Sequence, residues 1–374
     1  MPRIFLPISK SIANRWLMLQ AIHGDGLMTV SCDMPDDVRM MSEAIGLLGE
    51  RREARLDLGN CGTAMRFLTA YCAQLEGTTV ILDGVERMRH RPIGQLVDAL
   101  REIGAGIEYL GEEGFPPLRI KGCVLDKHRI VTINHPQSTQ FISALLLIGA
   151  NVQTDSTSPY ITLTRTLIQH YTTLHQSTQH YTIERDWSSA AFWYEYVALH
   201  GGEIELPGLY KDSLQGDKVV ADIFAHLGVQ TEYTAEGVTL SPMRDPRLSS
   251  WLRGVHLSNS EASNSPHGGR PIATQAASRS KILIQDFGTC PDLYPAVALT
   301  CERLGIELHA TGTESLPLKE SDRLRAVAEH RTDADHRMAM ALLVAGYEVD
   351  NTACISKSYP LFLEQWNNII HSHA

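Results

Sequence analysis

The stretch Leu58-Gly59-Asn60-Cys61-Gly62-Thr63-Ala64-Met65-Arg66 places two glycines, a hydroxyl and a guanidinium before an apolar run that continues to Leu75 and stops at Gly77. Glycine lets backbone N–H groups approach a ligand closely, and the first turn of a helix adds unpaired N–H donors and the positive end of the helix dipole. The stretch therefore predicts an anion site at the start of a buried helix. Taken alone, so short a motif is more often an ordinary helix start. It is not a nucleotide P-loop, because G-x-x-x-x-G-K-[ST] is absent from the chain.

The same design recurs in four other segments. Apolar runs at 12–22, 141–148, 190–199 and 293–304 each follow hydroxyl, amide or charged side chains and stop at a glycine, which is typical of helix starts and ends. Helices that are apolar on all sides are buried. Five buried helices with polar N-terminal ends predict that several helix dipoles converge on one negatively charged ligand.

Composition limits the class of protein. The chain has 374 residues, is 43% hydrophobic and carries a net charge of -10, which favours two domains and argues against a general nucleic-acid binder. No signal sequence, transit peptide or apolar run of membrane-spanning length is present. We therefore expect a cytoplasmic protein, with a monomer as the default and no membrane partner. We also expect no metal, because the cysteines and the histidines His170, His175 and His180 match no metal-binding spacing.

An internal repeat gives the second layer of organisation. Val80 can be laid over Ile204 and Gly104 over Gly228, with the same offset of 124 residues. Each copy is interpreted as strand, polar loop, amphipathic helix, glycine cap and strand. Weaker copies begin at 28–30, 306–309 and 347–349. The chain is therefore expected to be an α/β protein built from repeated units, each with one buried helix and one surface helix.

Seven motifs, in order along nearly the whole chain, together resemble the 5-enolpyruvylshikimate-3-phosphate (EPSP) synthase family. They are Pro7-Ile8-Ser9-Lys10-Ser11-Ile12-Ala13-Asn14-Arg15, the opening stretch above, Arg91-Pro92-Ile93-Gly94, Ser138-Thr139-Gln140-Phe141, Leu214-Gln215-Gly216-Asp217, Lys319-Glu320-Ser321-Asp322-Arg323 and Asp335-His336-Arg337-Met338-Ala339-Met340.

The resemblance implies the enolpyruvyl transferase fold. This is a two-domain inside-out α/β barrel, with three β-α-β-α-β-β units in each domain and a cleft between the domains. The first domain would be 8–183. The second would be discontinuous, 1–7 plus 184–374. Two departures are expected: the segment 161–183 is too short for a complete unit, and the polar segment 257–281 is an insertion or a remodelled loop.

The resemblance also implies a reaction without a cofactor: transfer of the enolpyruvyl group of phosphoenolpyruvate to the 5-hydroxyl of shikimate 3-phosphate, with release of phosphate. Asp292 would be the base and Glu320 the acid, with Lys10 and His336 as further catalytic candidates. Phosphoenolpyruvate would be bound by Lys10, Asn60, Gly62, Arg91, Gln140, Arg323, Arg337 and Lys357. Shikimate 3-phosphate would be bound by Lys10, Ser11, Arg15, Ser138, Thr139, Gln140, Thr157, Tyr160, Asp292, Ser315 and Lys319.

Two alternative functions remain open at this point. One is the sister reaction on UDP-N-acetylglucosamine, which would be expected to have an Ala-Lys-Asn turn and a cysteine before Arg-Pro; here the turn is Ser9-Lys10-Ser11, and 86–90 has no cysteine. The other is a non-catalytic relative that binds phosphorylated metabolites. Such a relative would be expected to have lost a carboxylate or a basic side chain, and the matched ones are all present.

Overall fold

The computed structural model describes residues 1–175, 181–243 and 281–372. Helices in this part of the chain are Lys10–His23 (α1), Asp36–Glu50 (α2), Gly62–Ala73 (α3), Glu86–Arg89 (α4), Gly94–Glu102 (α5), Thr139–Leu147 (α6), Pro159–His175 (α7), Trp187–His200 (α8), Val220–Ala225 (α9), Tyr294–Leu304 (α10), Arg323–Ala328 (α11), His336–Val344 (α12) and Phe362–Ser372 (α13). Strands are Glu53–Asp57 (β1), Thr79–Asp83 (β2), Gly106–Tyr109 (β3), Leu118–Lys121 (β4), Ile130–Thr132 (β5), Asn151–Gln153 (β6), Ile204–Pro207 (β7), Val229–Tyr233 (β8), Gly237–Pro242 (β9), Lys281–Asp286 (β10) and Ile306–Thr311 (β11).

The sheets confirm the α/β class and the internal repeat. In the first sheet β2, β4 and β3 are antiparallel neighbours, and β1 adds to β2 in parallel. A second sheet has the order β7-β9-β8, which repeats β2-β4-β3. Gly104 and Gly228 both have positive φ, 103° and 90°, where each copy leaves its helix and where glycine is least strained. Two parallel pairs, β5 with β6 and β10 with β11, complete the sheets of the described residues.

The five predicted apolar helices are present as α1, α3, α6, α8 and α10, with small shifts at their ends. α3 ends at Ala73, before Gly77. α8 begins at Trp187, because Asp186 rather than a serine caps it by accepting from the Ser189 N–H at 2.7 Å. A short 3-10 turn, Pro291–Leu293, precedes α10.

The weaker repeat copies were only partly correct. Ile306–Thr311 is a strand, but neither 28–30 nor 347–349 is one. α7 occupies 159–175, so His170 and His175 lie on a helix. His180 and all of 257–281 except Lys281 lie outside the described residues.

Two separate hydrophobic cores organise the described chain. The first core is built from residues between Ile12 and Tyr171. The second core is built from residues between Trp187 and Ile369, together with Ile4 and Leu6 from the N-terminus. Because Ile4 and Leu6 are buried in this core, the N-terminal segment packs beside Glu205, which is far from it in sequence.

The chain passes between the cores at two places that lie side by side. The Ser9 N–H donates to the Glu184 carbonyl at 2.8 Å, and the Asp186 N–H donates to the Pro7 carbonyl at 3.0 Å. Ile8 and Arg185 form an antiparallel bridge between them. The two crossings are therefore hydrogen-bonded to each other.

Within the described residues, no helix combines the length and the apolar character that a membrane span requires.

Glu195 of α8 is the most anomalous residue of the second core. It is fully buried, and in the described part of the chain neither carboxylate oxygen has a hydrogen-bond partner. Burial raises the pKa of Glu195 well above its usual value. The carboxyl is therefore harder to ionise in the folded state than in the unfolded state.

We predict that Glu195→Met stabilises the protein by about 1–3 kcal/mol, because it replaces an unpaired buried polar group with an apolar one of similar length. The raised pKa also means that Glu195 disfavours folding increasingly as pH rises above the unfolded-state pKa, and this contribution should vanish in the variant. Urea denaturation of both proteins at several pH values measures it. If Glu195→Met is no more stable than the parent protein, or if the gain does not depend on pH, Glu195 is not an unpaired buried carboxyl with a raised pKa.

Candidate active site

A cavity of about 560 Å³ lies between the two cores and is lined by both halves of the chain. The starts of α1, α3 and α6 and the turn before α10 reach it, so four of the five predicted helix starts converge here. The start of α8 does not line the cavity, whereas the starts of α11 and α12, which were not among the five, do. Fifteen of the residues predicted for the site line it: Lys10, Ser11, Arg15, Gly62, Arg91, Ser138, Thr139, Gln140, Tyr160, Asp292, Ser315, Lys319, Glu320, Arg323 and Arg337.

Four predicted residues do not line the cavity. Thr157 is exposed and does not line the cavity, whereas its neighbour Ser158 does. Asn60 and Lys357 lie just behind the lining: the Lys357 Nζ donates to the Asn60 carbonyl at 2.9 Å and to Glu320 Oε1 at 3.0 Å. His336, the fourth, is described below.

Local hydrogen bonds fix the polar helix starts. Ser138 Oγ accepts from the Gln140 N–H at 3.3 Å, and the Gln140 side chain donates to Thr63 Oγ1 at 2.9 Å, which joins the start of α6 to that of α3. Asp335 plays the same part in the second half. It caps α12 by accepting from the Arg337 N–H at 2.9 Å and also accepts from Arg323 Nε at 2.8 Å.

Asp292 lies among three cations. Its Oδ1 is 2.7 Å from Arg323 Nη1 and 3.3 Å from Lys319 Nζ, and its Oδ2 is 3.0 Å from Arg337 Nη2. Burial opposes ionisation of the carboxyl, but the charges of Arg337, Lys319 and Arg323 outweigh it and hold the pKa of Asp292 well below its usual value. The group is therefore an anion, as a base must be.

Glu320 has a similar environment. Its Oε1 is 3.0 Å from Lys357 Nζ and 3.8 Å from Arg91 Nη1, and its Oε2 is 3.2 Å from Arg323 Nη2. Burial again opposes ionisation, yet Lys357, Arg91 and Arg323 lower the pKa of Glu320 well below its usual value. An acid needs the opposite shift. The role of Glu320 as proton donor therefore stays a prediction, and it requires that these three cations be compensated by another anion.

Two buried arginines have no carboxylate within ion-pair distance among the described residues. Arg15 donates only to neutral oxygens, at 2.7 Å to Thr164 Oγ1 and at 3.0 Å to Ser143 Oγ, and burial lowers its pKa to about 10. Arg66 donates to the Gly62 and Pro92 carbonyls, and burial followed by the charge of Arg91 lowers its pKa. Buried cations without a counter-ion are costly, so the site favours anionic ligands.

His336 is fully buried and does not line the cavity, so its direct participation is not supported by its position. Its Nδ1 is 3.7 Å from Asp335 Oδ1, and neither ring nitrogen has a hydrogen-bond partner in the described residues. Burial, followed by the charges of Lys10 and Arg337, lowers the pKa of His336 well below its usual value. The ring is therefore neutral. It occupies the first position of α12, where the side chain packs behind the lining.

Asp37 was not identified from the sequence, and Arg66 and Asp217 were quoted in motifs without a substrate-binding or catalytic assignment. Asp37 pairs with Lys10 Nζ at 3.0 Å, and although burial opposes it, this charge raises the pKa of Lys10. Asp217 accepts from the Tyr160 hydroxyl at 3.1 Å and also from Ser188. Arg66 lies one helical turn after Gly62, so its spacing was a usable signal. Asp37 offered no signal beyond its place in a helix start.

No group of three potential metal ligands occurs in the part of the chain that the structure describes.

Gly62 makes room for the two guanidiniums beside it. A Cβ added there would lie 2.7 Å from Arg91 Nη1 and Nη2 and 2.8 Å from Arg66 Nη1. We predict that Gly62→Ala displaces these side chains and weakens binding of inorganic phosphate by about tenfold or more, the effect of losing a charge-assisted hydrogen bond. Isothermal calorimetry measures this change.

Gly46→Ala in α2 is the matched control, because an added Cβ at Gly46 meets nothing within 4 Å. Its phosphate affinity should equal that of the parent protein. Equal affinity in Gly62→Ala as well would show that the guanidiniums do not bind anions in the arrangement described.

Comparison with known proteins agrees with the geometry. The sequence model described as EPSP synthase (3-phosphoshikimate 1-carboxyvinyltransferase) matches residues 49–173, 149–331 and 327–366. Curated relatives with the name 3-phosphoshikimate 1-carboxyvinyltransferase include those of Bacteroides fragilis strain YCH46, 34% identical over 98% of this chain and 94% of the relative, and of Escherichia coli O127:H6, 30% identical over 99% and 96%.

The fold is similar to that of a solved structure. EPSP synthase from Acinetobacter baumannii superposes with a TM-score of 0.61 over 98% of this chain and 95% of that one, at 18% sequence identity. The structural likeness supports the enolpyruvyl transferase fold, and the sequence matches span most of the chain. The chain therefore belongs to the EPSP synthase family.

Proposed function

We propose that this protein transfers the enolpyruvyl group of phosphoenolpyruvate to the 5-hydroxyl of shikimate 3-phosphate and releases phosphate, a step of aromatic amino-acid biosynthesis. One observation carries the proposal: seven lysines and arginines and four carboxylates line a single cavity in a chain whose net charge is -10. Each substrate has a carboxylate and a phosphate, so this local excess of cations matches their charge. The relatives named above favour this acceptor over UDP-N-acetylglucosamine.

The two cores support a two-domain arrangement. We propose that each core is one domain, with the first at 8–183 and the second at 1–7 plus 184–374, and that each is an inside-out α/β barrel, with one truncated unit in the first. The cavity lies between the cores, and its lining comes from both. Closure of the domains would exclude water and bring the two sets of side chains together. The working form is expected to be a cytoplasmic monomer.

The two substrates would occupy different parts of the cavity. Shikimate 3-phosphate would lie against Ser11, Arg15, Ser138, Thr139 and Tyr160 of the first core, with Ser158 in place of Thr157, and against Ser315, Lys319 and Asp292 of the second core. Arg15 supports this placement most directly, because its buried guanidinium has no carboxylate partner among the described residues. Phosphoenolpyruvate would lie beside Gly62 and Arg91. Lys10, Gln140, Arg323 and Arg337 would complete its site, with Asn60 and Lys357 behind them.

The chemistry consists of two steps, an addition and an elimination. Addition removes the proton of the 5-hydroxyl as its oxygen bonds to the central carbon of phosphoenolpyruvate, while the methylene carbon receives a proton. Elimination then removes a proton from the new methyl group and expels phosphate, which restores the double bond. Asp292, an anion in the ligand-free site, would accept the hydroxyl proton, and Glu320 would protonate the carbon. The steps use protein groups alone, and no cofactor takes part.

Ligand binding supplies the missing condition for Glu320. The cations that lower its pKa are Lys357, Arg91 and Arg323, and all three are proposed ligands of phosphoenolpyruvate. When the phosphate and carboxylate of this substrate bind them, the cations are compensated and water is excluded. Both changes raise the pKa of a carboxyl group. Glu320 would thus become an acid only when the substrate is in place.

We predict that Asp292→Asn and Glu320→Gln each lower kcat by about 100- to 10,000-fold, the range for a lost general acid or base. Both changes keep the side-chain shape, and they leave the cations free to bind substrate. Steady-state phosphate release measures kcat, and calorimetry with shikimate 3-phosphate verifies binding. Glu329→Gln is the control, since Glu329 is exposed and pairs with Arg325 and Arg331, away from the cavity. Near-normal turnover in either variant would remove that residue from the mechanism.

The acceptor is tested by a second prediction. Phosphate release from phosphoenolpyruvate should depend on shikimate 3-phosphate and be absent with UDP-N-acetylglucosamine. Release with neither acceptor, while both ligands still bind by calorimetry, would instead support the non-catalytic relative.

A further inference from the structure

Arg87 joins the two halves of the molecule outside the substrate cavity. It lies on α4, in the half that contains the first core, and is partly buried. Its Nη2 donates to the Pro317 carbonyl at 2.7 Å and to the Lys319 carbonyl at 2.9 Å, and its Nε donates to the Lys319 carbonyl at 3.2 Å. Arg87 has no carboxylate within ion-pair distance in the described residues, and it does not line the cavity.

The acceptor of the two Lys319 bonds is a particular carbonyl. It belongs to the peptide group that joins Lys319 to Glu320. A peptide group is planar, so fixing its oxygen fixes the direction in which the chain continues into Glu320. Lys319 Nζ contacts Asp292, and Glu320 contacts Arg91 and Lys357. One guanidinium from the first half thus sets the backbone between two side chains of the proposed mechanism.

The shape of the Arg87 guanidinium allows it to hold this peptide group in place. The guanidinium is a planar fork with several donors, and it holds one carbonyl through two nitrogens while reaching a second carbonyl two residues earlier. The segment it contacts is the short 3-10 turn Leu316–Leu318, after which Lys319 is extended. So short a turn has little internal stability of its own. Its position therefore depends on contacts from outside.

A weaker contact of the same kind lies elsewhere between the two halves. Ser356 Oγ donates to Asp36 Oδ2 of α2 at 2.5 Å, and the next residue, Lys357, contacts Glu320. Arg87 and Ser356 thus both make bonds between the halves without lining the cavity. One contact lies at Lys319 and the other lies next to Lys357. The Arg87 contact has the larger effect on geometry because it contains three charge-assisted bonds.

We propose that Arg87 is a positioning residue for the transfer reaction. It ties α4 to residues 317–319 and so places Lys319 and Glu320 correctly when the two halves meet. This inference deepens the proposed function and rests on it. Arg87 touches no substrate and transfers no proton; it acts through the peptide group of Lys319.

The test compares Arg87→Ala with Arg101→Ala. Arg101 makes the same kind of contact, Nε and Nη2 to one carbonyl, that of Ile107, at 3.2 and 2.7 Å, but entirely within the first half. In Arg87→Ala, kcat/KM should fall about 10- to 100-fold, with a lower kcat and a higher KM for shikimate 3-phosphate. The melting temperature of the ligand-free protein should stay close to that of the parent. Arg101→Ala should have parental kcat and KM.

A conservative variant separates position from charge. In Arg87→Lys one ammonium replaces the fork, so it keeps the charge but bonds fewer carbonyls, and it should recover part of the lost kcat. Parental kinetics in Arg87→Ala would overturn the proposal. A fall in kcat with unchanged KM would also overturn it if the fall equals the loss of folded protein in Arg87→Ala. So would a fall in kcat/KM of the same size in Arg101→Ala.

Small-angle X-ray scattering gives a readout that does not depend on turnover. The radius of gyration of Arg87→Ala, ligand-free or saturated with shikimate 3-phosphate, should exceed that of the parent protein under the same condition. Equal radii in both conditions would overturn the proposal. If the parent protein releases no phosphate, the proposed function fails, while the scattering comparison still decides whether Arg87 holds the halves together.

Discussion

Arg323, buried at the start of α11, holds three carboxylates at once: Asp335 at 2.8 Å, Asp292 at 2.7 Å and Glu320 at 3.2 Å. Burial opposes its charge, but these anions outweigh burial and raise the pKa of Arg323 further. Its side chain is 1% exposed, so an uncompensated charge there would be costly. The network fixes both proposed catalytic carboxylates and, through Asp335, the start of α12. The geometry of the second half of the site depends on it.

Charge compensation explains how one set of side chains serves two states. Without ligand, Asp292 and Glu320 satisfy the cations from both halves. An anionic ligand would compete for the same cations and would thereby raise the proton affinity of these carboxylates. Arg15 and Arg66 differ, because among the described residues they have only neutral partners. Their charges can therefore attract an anion without first breaking an ion pair inside the protein.

Much of this arrangement was predictable from local patterns. The apolar helices with polar starts and the 124-residue repeat are local or periodic features, and both appeared where expected. Most site residues were found because motifs place them at helix starts, and helix starts meet at the cavity.

Other features depend on tertiary contacts. The cap of α8 is Asp186 because of its position relative to the Ser189 N–H. The lowered pKa of Glu320 arises from Lys357, Arg91 and Arg323, two of which are far from it in sequence. Neither 28–30 nor 347–349 forms a strand, because a stretch of three residues becomes a strand only where the fold places a partner strand beside it.

The paired crossings of the chain have a mechanical consequence. Residues 7–9 and 184–186 form a narrow two-stranded ribbon, held by bonds from Ser9 to Glu184 and from Asp186 to Pro7. Twisting or sliding of such a ribbon would shear its hydrogen bonds, whereas bending across its flat face would keep them, so we expect any relative motion of the halves to occur mainly about one axis. Asp186 also accepts from the Lys10 N–H at 3.2 Å. Such an axis would pass beside the first residue of α1, and Lys10 would then move little while the opposite rim of the cleft would travel farthest.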